Sequence, residues 1–404
     1  MAIPDQASLM KLYNLKLQEM MGDIDSHATQ ILKRLKESGF AAYLVGGGVR
    51  DLLVSLKPKD FDIATNALPN EVKRKVPYSF IIGRRFKLVH AKRGEHIYEI
   101  ATFRRAATTE ELETTDTEDR HLVEENFFGN IEEDSFRRDF TINSLYYDPI
   151  DQVIVDHCKG LEDIHSRTLR MIGDPQARLI EDPVRILRAI RLSQKLNFSI
   201  EPELRTQIVG LKQELKRTVL PRRREEWLKF FRLKNIEHAL IELYDLNVLE
   251  ILMPSIHKLF TNEHQRHEFL CYVRNFDYIG VNFADATELM SAILASYLFS
   301  TQPPGFDINT LIENEEFLLF CRDELGVFKA ELAVFFGAMQ FISPLKRTEF
   351  YSKKGERRQR SMVFNLSFFL SLKLGLLTHQ LGPAEFLFWL NERERFAHAK
   401  TVSE

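Results

Sequence analysis

The sequence is poor in cysteine and has no long uninterrupted apolar run. Its three cysteines, Cys158, Cys271 and Cys321, lie far apart and form no CxxC pair. This spacing argues against a zinc ribbon and against a disulfide framework, and it is typical of the reducing cytosol. The most apolar stretch, residues 362–381, contains several polar side chains, so it predicts a buried helix pair rather than a membrane span. We therefore expect a cytoplasmic protein with no membrane contact.

The sequence also lacks an excess of charge of one sign. The formal net charge of -3 does not by itself indicate a protein that binds nucleic acid. The N-terminus has no basic region followed by an apolar core, so we expect no secretory signal. Basic residues are nevertheless clustered, for example at residues 222–224 and 346–360, and acids are concentrated at residues 110–119. The distribution of charge, rather than its sum, is therefore the informative feature.

The 404 residues are too many for one compact core, and the apolar periodicity changes along the chain. We expect an α+β multidomain protein, with an N-terminal α/β head of mixed sheet and helices followed by an all-helical neck, body and tail. The predicted boundaries run in chain order: helical extension 1–38, head 39–172, neck 173–233, body 234–300, and C-terminal domain 301–404. Within the head, the pattern predicts a strand over Asp60–Ala64 and a helix over Glu132–Leu145.

A glycine turn stands near the start of the predicted head. Gly46, Gly47 and Gly48 follow a short apolar run and open into an apparent helix that carries Arg50. Glycines let the backbone approach a phosphate closely, and the amides at a helix start add positive potential. The turn matches neither the dinucleotide fingerprint nor the P-loop pattern, and an ordinary strand-to-helix turn is the alternative. We expect the turn and Arg50 to seat a triphosphate.

Two acids follow the short helix at alternate positions. In a strand, the carboxylates of Asp60 and Asp62 would project from the same face while Phe61 enters the core. Such a pair can hold two Mg²⁺ ions that activate an attacking hydroxyl and stabilise a pyrophosphate leaving group. A solvated edge strand is the alternative for this common pattern, but the glycine turn upstream favours the metal site. Glu99, in a later strand, is the candidate third carboxylate, and its alternative is a strand glutamate that faces solvent.

Two further pairs of arginine and aspartate predict contacts with a nucleotide. Arg138 and Asp139 could fix the triphosphate and ribose, or they could form only a local ion pair on a helix. Asp182 precedes a proline suited to the first helical position, which alone would explain Asp182 as an N-cap. Arg185 lies three residues later, so its guanidinium and the Asp182 carboxylate could together pair with the edge of a base.

Two more arginines, Arg188 and Arg191, continue at a spacing of three beyond Arg185. This spacing predicts a solvated or RNA-facing stripe rather than a catalytic group.

Taken together, these motifs resemble the class II tRNA nucleotidyltransferase and poly(A) polymerase family, within the DNA polymerase β superfamily. The resemblance rests on LVGGGVRD, KDFDIATNA, IIGRRFKLVH, EIATFRR, EEDSFRRDFTINSLYYD and EDPVRILRAIR. It implies a head that holds two Mg²⁺ ions, a neck that reads the incoming base, and helical body and tail domains that grip RNA. The family's metal ligands correspond to Asp60 and Asp62, with Glu99 in support.

The segment after Phe80 favours the polymerase branch over the CCA-adding branch of this family. Arg84, Arg85 and Lys87 make it basic, and we count these three residues with Arg188 and Arg191 as candidate RNA contacts. The resemblance then implies template-independent addition of AMP from ATP to the 3′ end of single-stranded RNA. It also implies a monomer whose tails mark RNA for the degradation machinery.

Three alternatives remain open at this point. The first is CCA addition to tRNA, and the second is a non-catalytic RNA-binding protein on the same fold. The third is a nucleotidyltransferase for small molecules, which the long helical half disfavours.

Overall fold

The computed structural model describes residues 4–83, 87–105 and 127–401. The chain divides into two compact units. The first comprises Met1–Glu181 and Leu196–Gln207, and the second comprises Asp182–Lys195 and Ile208–Glu404. Arg84 and Arg85, two of the candidate RNA contacts, lie outside the described residues, as does the acidic segment 110–119.

The first unit is built on a seven-stranded mixed sheet with the strand order β3-β4-β5-β2-β1-β6-β7. β2 and β5 run parallel, and the other neighbouring strands are antiparallel. The expected mixed sheet is thereby confirmed. The strands are β1 (Ala42–Val45), β2 (Asp62–Thr65), β3 (Ser79–Ile82), β4 (Leu88–Arg93), β5 (His96–Thr102), β6 (Leu145–Asp148) and β7 (Val153–Asp156). A separate pair comprises β8 (Thr168–Leu169) and β9 (Ser199–Ile200).

Short helices complete the first unit. α2 illustrates their packing, because its buried residues recur at helical spacing: Ala28, Ile31, Leu32 and Leu35. This apolar stripe packs against β1. The described helices up to residue 181 are α1 (Gln6–Glu19), α2 (Ser26–Glu37), α3 (Gly47–Leu53), α4 (Pro69–Lys75), α5 (Ile131–Phe136), α6 (Gly160–Ser166) and α7 (Pro175–Glu181).

Two of the predicted elements in the head have different boundaries in the structure. The strand predicted over Asp60–Ala64 begins at Asp62, so Asp60 precedes it. The prediction of one helix over Glu132–Leu145 is wrong, because α5 ends at Phe136 and Leu145 begins β6. Beyond that end, the side chain of Asp139 accepts the backbone N–H of Phe140 at 2.9 Å, which gives this N–H a partner outside the predicted helix.

The described part of the second unit contains helices and no strand. Two helices, α8 (Val184–Leu196) and α9 (Pro202–Leu211), contribute residues to both units. The others are α10 (Leu220–Phe231), α11 (Ile236–Asp245), α12 (Val248–Leu252), α13 (Pro254–Thr261), α14 (Glu263–Arg274), α15 (Phe276–Ile279), α16 (Ala286–Thr301), α17 (Glu315–Leu319), α18 (Lys329–Leu345), α19 (Thr348–Ser352), α20 (Glu356–Val363), α21 (Phe368–Leu377) and α22 (Pro383–Thr401). The expected succession from an α/β head to helices is confirmed.

Within the described ranges, no single helix has both the length and the apolar character that a membrane span requires. The pair α20 and α21 passes the same test jointly, with a bend of 69° between them.

Candidate active site

The glycine turn links β1 to α3, and each glycine serves a different purpose. Gly46 has a φ of +74°, a conformation that residues with a Cβ rarely adopt. Gly47 begins α3. Gly48 lies against the segment before β2, where an added Cβ would come within 2.8 Å of the Asp60 carbonyl oxygen and 3.0 Å of the Phe61 ring. The turn therefore fixes the distance between the helix start and the two acids.

Arg50 points into the protein beneath this turn. The residue is only 5% exposed. Its Nη2 and Nε donate to Oδ1 of Asp51 at 2.6 and 2.9 Å, and its Nη1 donates to Oδ1 of Asn143 at 2.5 Å. We predicted that Arg50 seats a triphosphate; in this arrangement its guanidinium ties α3 to the residues before β6.

Asp60, Asp62 and Glu99 come together at one end of the sheet. Phe61 is buried between the two aspartates, as the alternating pattern predicted, even though the strand starts only at Asp62. Ile63 of β2 is paired with Ile100 of the parallel strand β5. Asp62 and Glu99 each precede one member of this pair by one residue, so they are neighbours across the two strands. The two carboxylates therefore lie side by side on the same face of the sheet.

This arrangement concentrates negative charge around Asp62. Burial, with the charges of Asp60 and Glu99, raises the pKa of Asp62 from 3.8 to about 6, and Arg138 offsets only part of that increase. Across the described residues, no three His, Cys, Asp or Glu side chains form a ready-made metal cage. Mg²⁺ commonly uses only one or two carboxylates, completed by water and substrate phosphates, so this donor set fits Mg²⁺ bound together with a nucleotide.

Arg138 lies beside the glycine turn, and its charge acts on Asp62. A Cβ added to Gly46 would lie 3.5 Å from Nη1 of Arg138. Asp134 holds the guanidinium through Oδ2, which lies 2.9 Å from Nη2, and the Tyr146 hydroxyl lies 3.0 Å from Nε. Burial alone would raise the pKa of Asp134, but Arg138, the Tyr146 hydroxyl and Arg137 outweigh it, so the pKa is lowered. Arg138 is therefore a positioned cation at the glycine turn.

Asp139 orients the residues that follow it. Its Oδ1 accepts the backbone N–H of Phe140 and, at 3.1 Å, the Nδ2 group of Asn143. Asn143 in turn accepts from Arg50, so a continuous chain of hydrogen bonds runs from Asp139 to the helix of the glycine turn. Asp134 thus holds Arg138 and Asp139 supports Asn143, while contact of Arg138 and Asp139 with triphosphate and ribose stays a prediction.

The predicted base-reading pair lies in the second unit. Oδ1 of Asp182 accepts the backbone N–H of Val184 at 3.3 Å, which is the contact expected of an N-cap. Its Oδ2 accepts Nη2 of Arg222 at 2.7 Å. Arg185 is half-buried on α8. Asp182 thus has an arginine partner from α10 as well as a neighbour three residues along its own helix.

The other predicted cations have different environments. Arg188 is half-buried on α8 and Lys87 is exposed before β4. Arg191 does not lie on a solvent-facing stripe, because its Nε donates to the buried Glu226 at 2.8 Å. Lys229 contacts the same carboxylate at 3.0 Å. An RNA contact stays a prediction for Lys87 and Arg188, whereas the geometry gives Arg191 a role in packing.

Sequence reasoning missed three residues that organise the head site. Asp134 precedes Arg138 by four residues on a helical run, a spacing that could have signalled the pair. Tyr146 and Asn143 carried no such signal, because their contacts depend on how the chain turns between α5 and β6.

Comparisons with known proteins agree with this fold. Residues 42–170 match the model of the poly A polymerase head domain. Residues 197–260 match the model described as the probable RNA and SrmB-binding site of polymerase A. Poly(A) polymerase I of Salmonella typhimurium is 43% identical over 242 residues, which are 59% of this chain and 52% of that protein. Over these ranges the chain is similar to the family of poly(A) polymerases and CCA-adding enzymes.

Both branches of this family occur among the curated relatives. The CCA-adding enzyme of Lactobacillus helveticus is 38% identical over 211 residues, which are 52% of this chain and 51% of that enzyme. The chain therefore spans about half the length of the curated relatives it matches.

Solved structures of the family share the fold at lower identity. The Bacillus stearothermophilus CCA-adding enzyme in complex with CTP has a TM-score of 0.58 at 21% identity, over 92% of this chain and 82% of that one. The Thermotoga maritima CCA-adding enzyme complexed with tRNA has a TM-score of 0.57 at 22% identity, over 98% of this chain and 87% of that one. These two likenesses support the fold independently of the sequence matches.

Proposed function

We propose that the protein is a Mg²⁺-dependent adenylyltransferase that adds AMP from ATP to the 3′ end of single-stranded RNA without a template. The observation that carries this proposal is the carboxylate group of Asp60, Asp62 and Glu99 beside the glycine turn and Arg138, in a poly A polymerase head domain. A polymerase relative at 43% identity supports adenylate as the transferred group.

The donor set of the head fits divalent metal. Burial, together with the charges of Asp60 and Glu99, raises the pKa of Asp62, and a bound cation would relieve the repulsion between these carboxylates. We assign Asp60 and Asp62 as the residues that hold two Mg²⁺ ions, with Glu99 in support. When bound, the ions supply activation of the attacking hydroxyl and charge stabilisation for the pyrophosphate leaving group.

The chain's own groups orient the nucleotide. We propose that the backbone of Gly46 to Gly48 seats the triphosphate, and the Arg138 guanidinium beside Gly46 supplies positive charge there. Arg50 keeps the turn in place through Asp51 and Asn143, and Asp139 supports Asn143 from the other side. In the second unit, we propose that Asp182 and Arg185 present donors and acceptors to the adenine edge.

The test is extension of a labelled single-stranded RNA with each nucleoside triphosphate supplied alone. We expect long ladders with ATP and Mg²⁺, and none with CTP or after chelation of the metal. Single substitutions Asp60→Asn and Asp62→Asn should abolish the ladder while leaving the protein folded. Absence of extension by the wild-type protein, with RNA binding intact in both variants, would instead identify a non-catalytic RNA-binding protein.

CCA addition is a second candidate, favoured by the match to the Lactobacillus helveticus enzyme at 38% identity. A tRNA that lacks its terminal CCA distinguishes the two activities. Incorporation of CTP followed by ATP, stopping after a few residues, would replace polyadenylation as the function. Continuous addition of AMP to the same tRNA would support the polymerase.

The cellular setting follows from the proposed activity. We propose a cytoplasmic monomer whose tails mark RNA for the degradation machinery. Salt sensitivity is expected, because RNA contacts made mainly to phosphates weaken as salt rises.

A further inference from the structure

The part of the sheet formed by β3, β4 and β5 has one largely exposed face beside the candidate carboxylates. Strands β3, β4 and β5 bury the side chains of one face, among them Val89, Ala91, Tyr98 and Ile100. The alternate residues, which point to the opposite face, are largely exposed. Among the described residues, this side of β3 to β5 therefore has no covering layer comparable to the one on the buried side.

The strand register places four side chains in one row on that open face. Phe80 is paired with His90, and His90 is paired with Glu99. Directly paired residues project from the same face of a sheet. Asp62 stands beside Glu99 in the neighbouring strand β2, so the row runs Phe80, His90, Glu99, Asp62. The contact of 3.5 Å between His90 Nε2 and Glu99 Oε1 agrees with this order.

Phe80, at the outer end of the row, and two aliphatic residues that flank the row on the same face are exposed. Phe80 is 59% exposed, Ile82 on the same strand is 47% exposed, and Ile97 on β5 is 57% exposed. Lys92 lies opposite Ile97 on the same face and is also exposed. An exposed aromatic ring combined with aliphatic surface and a cation suits a stacked base and its phosphate.

The distance between Phe80 and Asp62 is short enough for a few nucleotides of RNA to span. Phe80 is three strands away from Asp62, which at the usual strand spacing is roughly 14 Å. A strand of RNA whose terminal hydroxyl reaches the carboxylates would pass over this surface with its last few nucleotides. The surface is continuous with the reacting end of the site, whereas Asp182 and Arg185, proposed to read the incoming base, belong to another unit.

We propose that Phe80, Ile82, Ile97 and Lys92 form a landing surface for the 3′ end of the RNA substrate, with Phe80 stacking on a base and Lys92 contacting a phosphate. This inference rests on the proposed function for its choice of RNA. It gives β3, an edge strand, a role in substrate binding.

The test is RNA binding without catalysis, measured by fluorescence anisotropy with a labelled oligoadenylate that ends in a 3′-deoxy nucleotide. Phe80→Ala should weaken binding roughly 10- to 100-fold, the range expected for loss of one base–aromatic stack. Phe80→Trp should restore it. Val153→Ala is the matched control, because Val153 is an exposed apolar residue, 44% exposed, on β7 at the opposite edge of the same sheet.

Two further measurements separate stacking from a structural effect. Lys92→Gln should reduce the dependence of log K on log salt by about one unit, as expected for loss of one phosphate contact. In the extension assay, Phe80→Ala should raise KM for RNA and leave KM for ATP unchanged.

The landing surface and the proposed activity can fail separately. Binding by Phe80→Ala equal to wild type overturns the landing surface even if the ATP ladder is present. Weaker binding by Phe80→Ala without any ladder supports the surface on a protein that is not a polymerase. A wild-type dimer that Phe80→Ala converts to a monomer, with RNA binding unchanged, would show that a second copy covers β3 and would overturn the proposal.

Discussion

The two units differ in the charges that surround a buried or half-buried carboxylate. In the head, Asp62 shares its surroundings with Asp60 and Glu99, and its pKa rises to about 6. In the helical unit, burial alone would raise the pKa of Glu226, but Arg191 and Lys229 outweigh it, and the pKa is lowered. Glu226 is thus neutralised within the protein, whereas Asp62 is left with an unfavourable charge that a bound cation could balance.

The difference separates a structural carboxylate from a candidate functional one. Ion pairs inside a protein are common and say little about activity. A group of like charges costs stability, so its retention favours a role in binding or catalysis. The predictions below test this distinction, beginning with the largest expected effect.

Asp62→Asn should reduce AMP addition by about 1,000-fold or more, because loss of a metal ligand removes several kcal/mol of transition-state stabilisation. The same substitution should leave the thermal stability of the metal-free protein at pH 8 unchanged or increased, since it removes a repelled charge. Extension rates and calorimetry on one preparation check both statements. A variant that unfolds would show that Asp62 is needed for the fold instead.

Glu226→Gln should show the reverse pattern. It leaves Arg191 without its buried counter-charge, so we expect a loss of about 3–5 kcal/mol in the free energy of unfolding. The activity of the fraction that remains folded should change little. Denaturant titration gives the first quantity, and single-turnover extension normalised to folded protein gives the second. Wild-type stability in this variant would contradict the structural role.

Gly48→Ala should disturb the head site through the backbone. Its Cβ would lie 2.8 Å from the Asp60 carbonyl oxygen, so the segment that carries the two aspartates has to move. We expect a cost of about 1–3 kcal/mol, the usual range for overpacking, together with reduced activity. Gly47→Ala is the control in the same turn, since its Cβ would meet only Arg50 Nη2 at an ordinary 3.5 Å. Equal effects of the two substitutions would argue against the close contact.

One part of this site could be predicted from the sequence, and other parts could not. The alternation of Asp60, Phe61 and Asp62 predicted one buried ring between two projecting acids, because local periodicity decides that arrangement. The burial of Arg50 depends on Asn143, which is distant in sequence, and the Asp182 contact with Arg222 also joins separate helices. The end of α5 was missed because apolar spacing alone continued the helix, whereas the Asp139 side chain gives the N–H of Phe140 a partner outside it.

The last prediction is a pH dependence of stability that has opposite signs in the two units. The folded pKa of Asp62 is raised, so the metal-free protein loses stability from this group as pH rises from about 4 to about 6, by at most about 3 kcal/mol at ~1.4 kcal/mol per pKa unit. The folded pKa of Glu226 is lowered, so its contribution is present above pH 4.5 and is lost as pH falls. Subtracting the profiles of Asp62→Asn and Glu226→Gln from that of the wild type isolates the two slopes. Slopes of the same sign would refute the contrast.

The most direct test of the central claim is thermal unfolding of the wild-type protein and Asp62→Asn at pH 7.5, with and without Mg²⁺ and a non-hydrolysable ATP analogue. A ligand that binds only the folded state raises the melting temperature. We predict that Mg²⁺ with the analogue raises the melting temperature of the wild type clearly and that of Asp62→Asn little or not at all. An equal shift in both proteins, or no shift in the wild type, would contradict the assignment of the head carboxylates to metal.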